Sequence, residues 1–236
     1  MLVTIHQPEH LPWPGLLNKV MQADKFVILD TVQYRKNYFQ NRNKICTKGG
    51  ITWLTLPIEK FNHDTLIKDI LINRHDKLFG KWLRTLEVSY GDFPYYDDIR
   101  PAIELIHSSA DAHLASFNIS LIRFMLDYLK IKTECVLASE LCLPNPTDAT
   151  DVNLNICKAL GAEKYLSGPS GKDYLHVDRF HSTGIDVLFH EYSPASYTHP
   201  YACFTPGISF IDAMMLYGTD SKQYLANYSH SVSGIG

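Results

Sequence analysis

The feature that most constrains this chain lies at its start, where two apolar runs flank one short amphipathic segment and both lead into polar groups. Leu2 to Ile5 reads as a buried strand, Leu16 to Ala23 as a short helix, and Lys25 to Leu29 as a second strand ending on Asp30. A strand, a helix and a strand of these lengths make a right-handed crossover between parallel neighbours. The carboxyl ends of the two strands then share one edge, and ligands of such sheets bind in the crevice there. The segment after each strand suits a crevice. His6-Gln7-Pro8-Glu9-His10-Leu11-Pro12-Trp13-Pro14-Gly15 and Gln33-Tyr34-Arg35-Lys36 interleave acids, bases and amides with aromatic rings, the pattern of a pocket with apolar walls and a few convergent polar groups.

The rest of the chain continues the alternation. Lys44 to Thr47 and Ile51 to Pro57 around Lys48-Gly49-Gly50 read as a β-hairpin. A further strand is expected from Thr65 to Ile72, then helices from Asp76 to Tyr90 stopping at Gly91, from Pro94 through Ile106, and from Ala110 to Leu129 with His113 packed on its core stripe. Thr133 to Ala138 is a strand, and Val152 to Leu160 a helix capped by Thr150 or Asp151 and closed by Gly161. Lys164 to Ser167, Leu175 to Ser182 and Asp186 to Phe189 form a second strand-helix-strand unit, and the tail from Tyr224 is expected to fray. Together these predict an α/β layered fold with a mainly parallel, Rossmann-like sheet, plus a β-hairpin and helical lobe inserted at 44–130 within one domain, 1–236.

Composition excludes some classes. A formal charge of −3 argues against a general nucleic-acid binder, because phosphate-dominated binding shows as a basic face. No run reaches the ~20 apolar residues that span a bilayer, and no signal-like segment opens the chain, so a cytoplasmic location without a membrane span is expected. The cysteines, Cys46, Cys135, Cys142, Cys157 and Cys203, are scattered with no close pair and are expected to be reduced and mostly buried.

His6, Glu9 and His10 are the candidates for acid–base catalysis, which needs a pocket that tunes such groups. Gln7, Asp30, Gln33, Lys36, Asn41, Arg42 and Asn43 are candidates for substrate binding. Ser167-Gly168-Pro169-Ser170-Gly171-Lys172-Asp173-Tyr174 is either an anion loop, with Lys172 and Asp173 at the ligand, or a plain strand-to-helix turn. It lacks the spacing of a Walker A motif. The opening invites comparison with nucleotidyltransferases that carry His-x-Gly-His at the first helix, but the register here is Trp13-Pro14-Gly15-Leu16, so the comparison supports fold more than activity. His6, His10, His63 and Glu9 could in principle gather around zinc, yet His6 and His10 lie on a proline-containing loop without a shared helical face, and no metal is assigned. No cofactor is identifiable. The run from His190 to Tyr201 reads as a sugar-binding loop or a tyrosine-rich packing segment, and Asp212, among Ile211, Ala213 and Met214, must face solvent or find a partner.

The opening motif from Ile5 to Gly15, the Leu29-Asp30-Thr31-Val32-Gln33-Tyr34-Arg35-Lys36 run, Gln40-Asn41-Arg42-Asn43-Lys44-Ile45, Trp53-Leu54-Thr55-Leu56-Pro57 and Ser209-Phe210-Ile211-Asp212 resemble the WbqC-like protein family over nearly the whole chain. That resemblance implies bacterial O-antigen and surface-polysaccharide gene clusters and a suggested glycine transferase activity, with no established residue roles. The leading expectation is a transferase of a glycyl or other acyl group to an activated sugar, with a sugar nucleotide or activated acyl donor as small-molecule partner. An ATP-dependent nucleotidyl or adenylyl transferase and a non-catalytic sugar-nucleotide binding protein remain as alternatives.

Overall fold

The computed structural model describes residues 1–201 and 204–226, together with the backbone of 228–232. Its opening follows the sequence pattern, with strand β1 (Leu2–His6), helix α1 (Pro14–Met21) and strand β2 (Lys25–Ile28), the two strands parallel neighbours. Pro14 starts α1, where the missing N–H has no intrahelical partner to lose. An antiparallel hairpin comes next, β3 (Arg42–Thr47) and β4 (Gly50–Thr55). Three helices succeed it, α2 (Lys77–Tyr90), α3 (Tyr96–Ser108) and α4 (Leu114–Tyr128). The chain then alternates through β5 (Glu134–Leu137), α5 (Ala149–Ala159), β6 (Lys164–Ser167), α6 (Val177–His181) and β7 (Asp186–Tyr192). Helix α7 (Ile211–Tyr217) and strand β8 (Tyr228–Val232) complete it.

The main sheet has the order β5-β2-β1-β6-β7-β8, parallel throughout except between β7 and β8. The chain walks from β1 through β2 to β5, returns to the other side of β1, and walks through β6 to β7. Right-handed crossovers in opposite directions put their helices on opposite faces of the sheet. The buried clusters agree. Helix α1, the hairpin, α2 to α4 and α7 share one core with Phe26 and Ile28, while α5 and α6 pack with Val27 and Leu29. Neighbouring residues of β2 thus divide between two cores, as the alternation of a strand buried on both faces requires.

Several expectations are corrected. Thr65 to Ile72 is not a strand but a strap containing one 3-10 turn, Ile67–Asp69. The amides of Ile67 and Lys68 donate to the carbonyls of Val32 and Asp30, so this backbone is committed to the loop after β2 rather than to a sheet. Helix α5 begins at Ala149 because Asp148 is its cap, accepting from the Asp151 amide at 2.8 Å; Gly161 closes it at φ +65° as expected. His113 is not in the core. It sits just before α4, partly exposed, and pairs with Asp111 at 2.7 Å. Residues 228–232 form an edge strand on β7 where fraying was expected, and 227 and 233–236 lie outside the described residues. Cys135, Cys142 and Cys157 are free thiols, of which Cys157 is buried, whereas Cys46 is disulfide-bonded and departs from the reduced state expected of it. Cys203 lies outside the described residues. Among the described residues no helix is long and apolar enough to cross a membrane.

Candidate functional site

A cavity of about 820 Å³ opens at the carboxyl edge of the sheet, lined by residues from the ends of β1 and β6. These two strands flank the point where the strand order reverses, the place where open parallel sheets bind ligands. His6, Gln7 and Glu9 line it after β1, Lys19 from α1, Gln33 and Arg35 after β2, and Ser167 to Gly171 after β6. The loop after β2 is one wall, as the crossover argument expects. The opposite wall is the glycine turn after β6.

Three side chains at its base form a hydrogen-bonded chain. Val3 and Ile5 point into the α5 core, so His6, of opposite parity on β1, faces α1. There the Lys19 ammonium donates to the Ile5 carbonyl at 3.0 Å and to His6 Nδ1 at 3.2 Å. With Nδ1 accepting, the imidazole proton lies on Nε2, which donates to Glu9 Oε1 at 3.0 Å. Lys19 is 2% exposed and Glu9 3%. Burial pushes the Lys19 ammonium down to about 8, with the Glu9 charge acting the other way. Glu9 Oε2 is buried and has no hydrogen-bond partner among the described residues. Leaving a buried acceptor unmatched costs roughly 1–3 kcal/mol, so this oxygen is an unsatisfied acceptor at the cavity wall.

The walls explain several small residues. A Cβ on Gly15 would overlap the Trp13 ring, and one on Gly171 would overlap the Ser167 hydroxyl, so both glycines permit close packing beside the cavity. The turn after β6 is a 3-10 turn, Pro169–Asp173. Pro169 has no amide hydrogen, and the Gly171 and Tyr174 amides donate within the turn, so the structural turn is favoured over the anion loop. Lys172 pairs with Glu191 at 3.2 Å on the surface; neither it nor the exposed Asp173 lines the cavity. A second cation beside Lys19, the exposed Arg35, lines the cavity after β2.

His10, Asp30, Lys36, Asn41, Arg42 and Asn43 also lie outside the cavity lining. His10 is fully buried, accepts from Trp82 Nε1 at 2.9 Å and bonds Asn118 Oδ1 at 2.9 Å, so both ring nitrogens are occupied. Burial pushes its imidazole down to about 4, the Asn118 bond opposing. Asp30 accepts from the Ser139 amide and hydroxyl at 3.0 and 2.6 Å, tying the ends of β2 and β5 together. Asn43 donates to the carbonyls of His10 and Leu11 at 3.2 and 2.8 Å, holding Leu11 at φ 42°, a left-handed conformation a leucine rarely adopts. Asn41 donates to the Leu56 carbonyl at 3.0 Å. Arg42 donates to the Asn37 carbonyl at 2.7 Å and lies over the Trp53 ring at 4.4 Å, while Lys36 is exposed. Gln7 accepts from Gln40 at 2.5 Å, and Gln33 donates to the His63 carbonyl at 2.5 Å. His63 pairs with Asp64 at the surface, so the four residues weighed for zinc are not gathered.

Asp212 finds its partners inside the protein, accepting from Tyr90 at 2.8 Å and Tyr197 at 2.7 Å. His199 Nε2 is 3.3 Å from its carboxylate, and His199 Nδ1 is 3.6 Å from Cys46 Sγ. Three metal-ligand types thus meet within 4.8 Å, but the two imidazole nitrogens face different partners and Cys46 is already disulfide-bonded. One ion could not be held by all three. The tyrosine-rich reading of the run from His190 to Tyr201 fits its packing, in which Tyr197 and Tyr201 lie against the core.

Lys19 and Arg35 are the charged cavity residues absent from the sequence-based candidates. A lysine between Leu16, Leu17 and Val20 on a buried helical face was the readable signal for the first; Arg35 carries no pattern that separates it from Lys36.

The strand order, with a cavity at the point where it reverses, defines an α/β protein with a Rossmann-like, mainly parallel sheet. The chain belongs to the WbqC-like protein family, whose model matches residues 7–224. It is 29% identical over 226 residues to the uncharacterized protein Rv1507c of Mycobacterium tuberculosis, a match that covers 94% of this chain and 96% of that protein. No solved structure matches it.

Proposed function

We propose that this protein is a transferase of surface-polysaccharide (O-antigen) biosynthesis that moves a glycyl or other acyl group from an activated donor to an amine or hydroxyl of an activated sugar. The observation that carries the reading is Glu9, whose Oε1 is held by His6 and whose buried Oε2, at the cavity wall, has no hydrogen-bond partner among the described residues. An acceptor N–H or O–H bonded to Oε2 would lose its proton to Glu9 as its lone pair attacks the acyl carbonyl carbon. Collapse of the tetrahedral intermediate breaks the bond to the leaving group, which departs with the electron pair. Arg35 offers a planar fork for a phosphate or carboxylate, and Trp13, Tyr165 and Tyr174 offer faces for a sugar or base ring. The polysaccharide setting comes from the family resemblance. The free thiols Cys135, Cys142 and Cys157 support a cytoplasmic location, which the disulfide at Cys46 does not.

A thermal-shift screen of acyl donors and nucleotide sugars tests this, since a ligand at ~100 times its Kd adds roughly 2.7 kcal/mol. Stabilising donor and acceptor are then incubated together, and mass spectrometry reads acyl transfer. Transfer by the wild type that is lost in Glu9→Gln, with ligand stabilisation retained, supports the proposal; no transfer from any stabilising pair contradicts it. The second reading, nucleotidyl or adenylyl transfer, is favoured by the Rossmann strand order around the cavity and would show instead as magnesium-dependent pyrophosphate release from ATP. Saturable binding of nucleotide sugars without turnover would indicate a binding protein.

A further inference from the structure

We propose that Lys19 is a positioning residue that holds His6 as its Nε2–H tautomer, so that His6 only donates and Glu9 Oε2 alone presents a free basic atom to the ligand. The inference rests on reading this cavity as a proton-transfer site and names the atom that receives the proton.

The Ile5 carbonyl can only accept, and at 3.0 Å it fixes the Lys19 ammonium at the end of β1. That ammonium has no lone pair, so His6 Nδ1, 3.2 Å away, must accept from it. The remaining ring nitrogen then carries the hydrogen and meets Glu9 Oε1 at 3.0 Å. His6 is thereby filled on both sides. Glu9 is held by one oxygen and left open at the other, which is buried and unpartnered among the described residues. Without a donor at Nδ1 the tautomer is held by the Glu9 contact alone, since the form protonated on Nδ1 would turn a lone pair toward Glu9 and repel it.

The groups facing Lys19 are few. His6 comes from β1 and Glu9 from the loop beyond it, the latter being the charge that acts on the ammonium. From β6 the cavity receives Tyr165, a phenol that burial keeps neutral. The turn after β6 presents Gly168, where a Cβ would stand 4.0 Å from Nζ. The desolvated ammonium is accordingly pushed down to about 8, within reach of an ordinary titration.

The test is a histidine-ring 1H–15N correlation spectrum of the wild-type protein, with His6 assigned by its loss in His6→Gln. At neutral pH the expected spectrum shows a protonated Nε2 and a bare, hydrogen-bonded Nδ1 for His6. Raising the pH through the Lys19 titration, near about 8, should shift the Nδ1 signal. Lys19→Arg, which stays charged, should keep the tautomer and lose that step, whereas Lys19→Met should weaken the preference for Nε2–H and move the Nδ1 signal to that of a nitrogen without a hydrogen bond. A proton on Nδ1 in the wild type, or an Nδ1 signal that ignores the Lys19 titration, overturns the proposal, and this wild-type arm stands even where a variant does not fold. Absence of transferase activity leaves these spectra unchanged, so the two proposals fail separately.

Discussion

Asn118, fully buried on α4, ties the helical lobe to the rim of the cavity. Its amide donates to the Pro8 carbonyl at 2.9 Å and the Gln40 carbonyl at 2.6 Å, and its Oδ1 accepts from His10 Nδ1 at 2.9 Å. Asn118→Ala removes all of these and strands two carbonyls and a ring N–H in the interior. At about 1 kcal/mol for each lost bond, the expected destabilisation is about 3 kcal/mol. In a chain of this size that corresponds to a fall in Tm of about 6–12 °C. Asn118→Asp keeps the acceptor but turns an oxygen toward two carbonyls, so it should be at least as damaging. Urea unfolding followed by circular dichroism measures both. A loss below about 1 kcal/mol for the alanine variant, or an aspartate variant more stable than it, would refute the tethering role and with it the account of how the loop after β1 is held.

Arg42→Lys loses the bond to the Asn37 carbonyl and the planar stack on Trp53, and should lower stability by about 1 kcal/mol in urea titration with ligand affinity unchanged; weakened binding in a fold of normal stability would instead place Arg42 at the ligand. Gly171→Ala drives a methyl into the Ser167 side chain and should cost about 1–3 kcal/mol, read as a lower Tm and weaker thermal shifts by ligands, and a variant as stable as wild type would contradict the packing. His10 is held at about 4, below its ordinary 6.5, by burial, so the unfolded chain takes up a proton that the folded one refuses. Stability should therefore fall as pH drops through this interval and level off below it, by on the order of 3 kcal/mol; His10→Gln should flatten that part of the curve, and an equally steep variant would count against the assignment.

Much of the sheet was legible because β1, β2 and β6 are short apolar runs punctuated by helices and turns, and such alternation leaves few topologies. That His6 and Glu9 line the cavity was legible for a related reason: a charged or basic group directly after a buried strand sits at the sheet's carboxyl edge. The candidates that lie outside the cavity lining share a different property. His10, Asn41, Arg42 and Asn43 are polar residues whose partners are backbone carbonyls or side chains distant in sequence, such as Asn118 and Trp82 for His10. Sequence spacing cannot show whether such a group faces a ligand or the far side of its own loop. Lys19 was hidden by the opposite habit, since a lysine in a short helix is ordinarily solvated and only the parity of its apolar neighbours marks it as buried. Thr65 to Ile72 alternates like a strand, yet the carbonyls it bonds belong to the loop after β2, which no local pattern reveals.

In the proposed transfer, Glu9 Oε2 is the atom that takes the acceptor's proton. The most direct test of this role is the rate of acyl transfer by wild type and Glu9→Gln at saturating concentrations of the donor and acceptor that most stabilise the wild-type fold. The expected result is a drop of about 10²- to 10⁴-fold, the usual contribution of a positioned base, with ligand-induced stabilisation kept. Equal rates in the two proteins would contradict it.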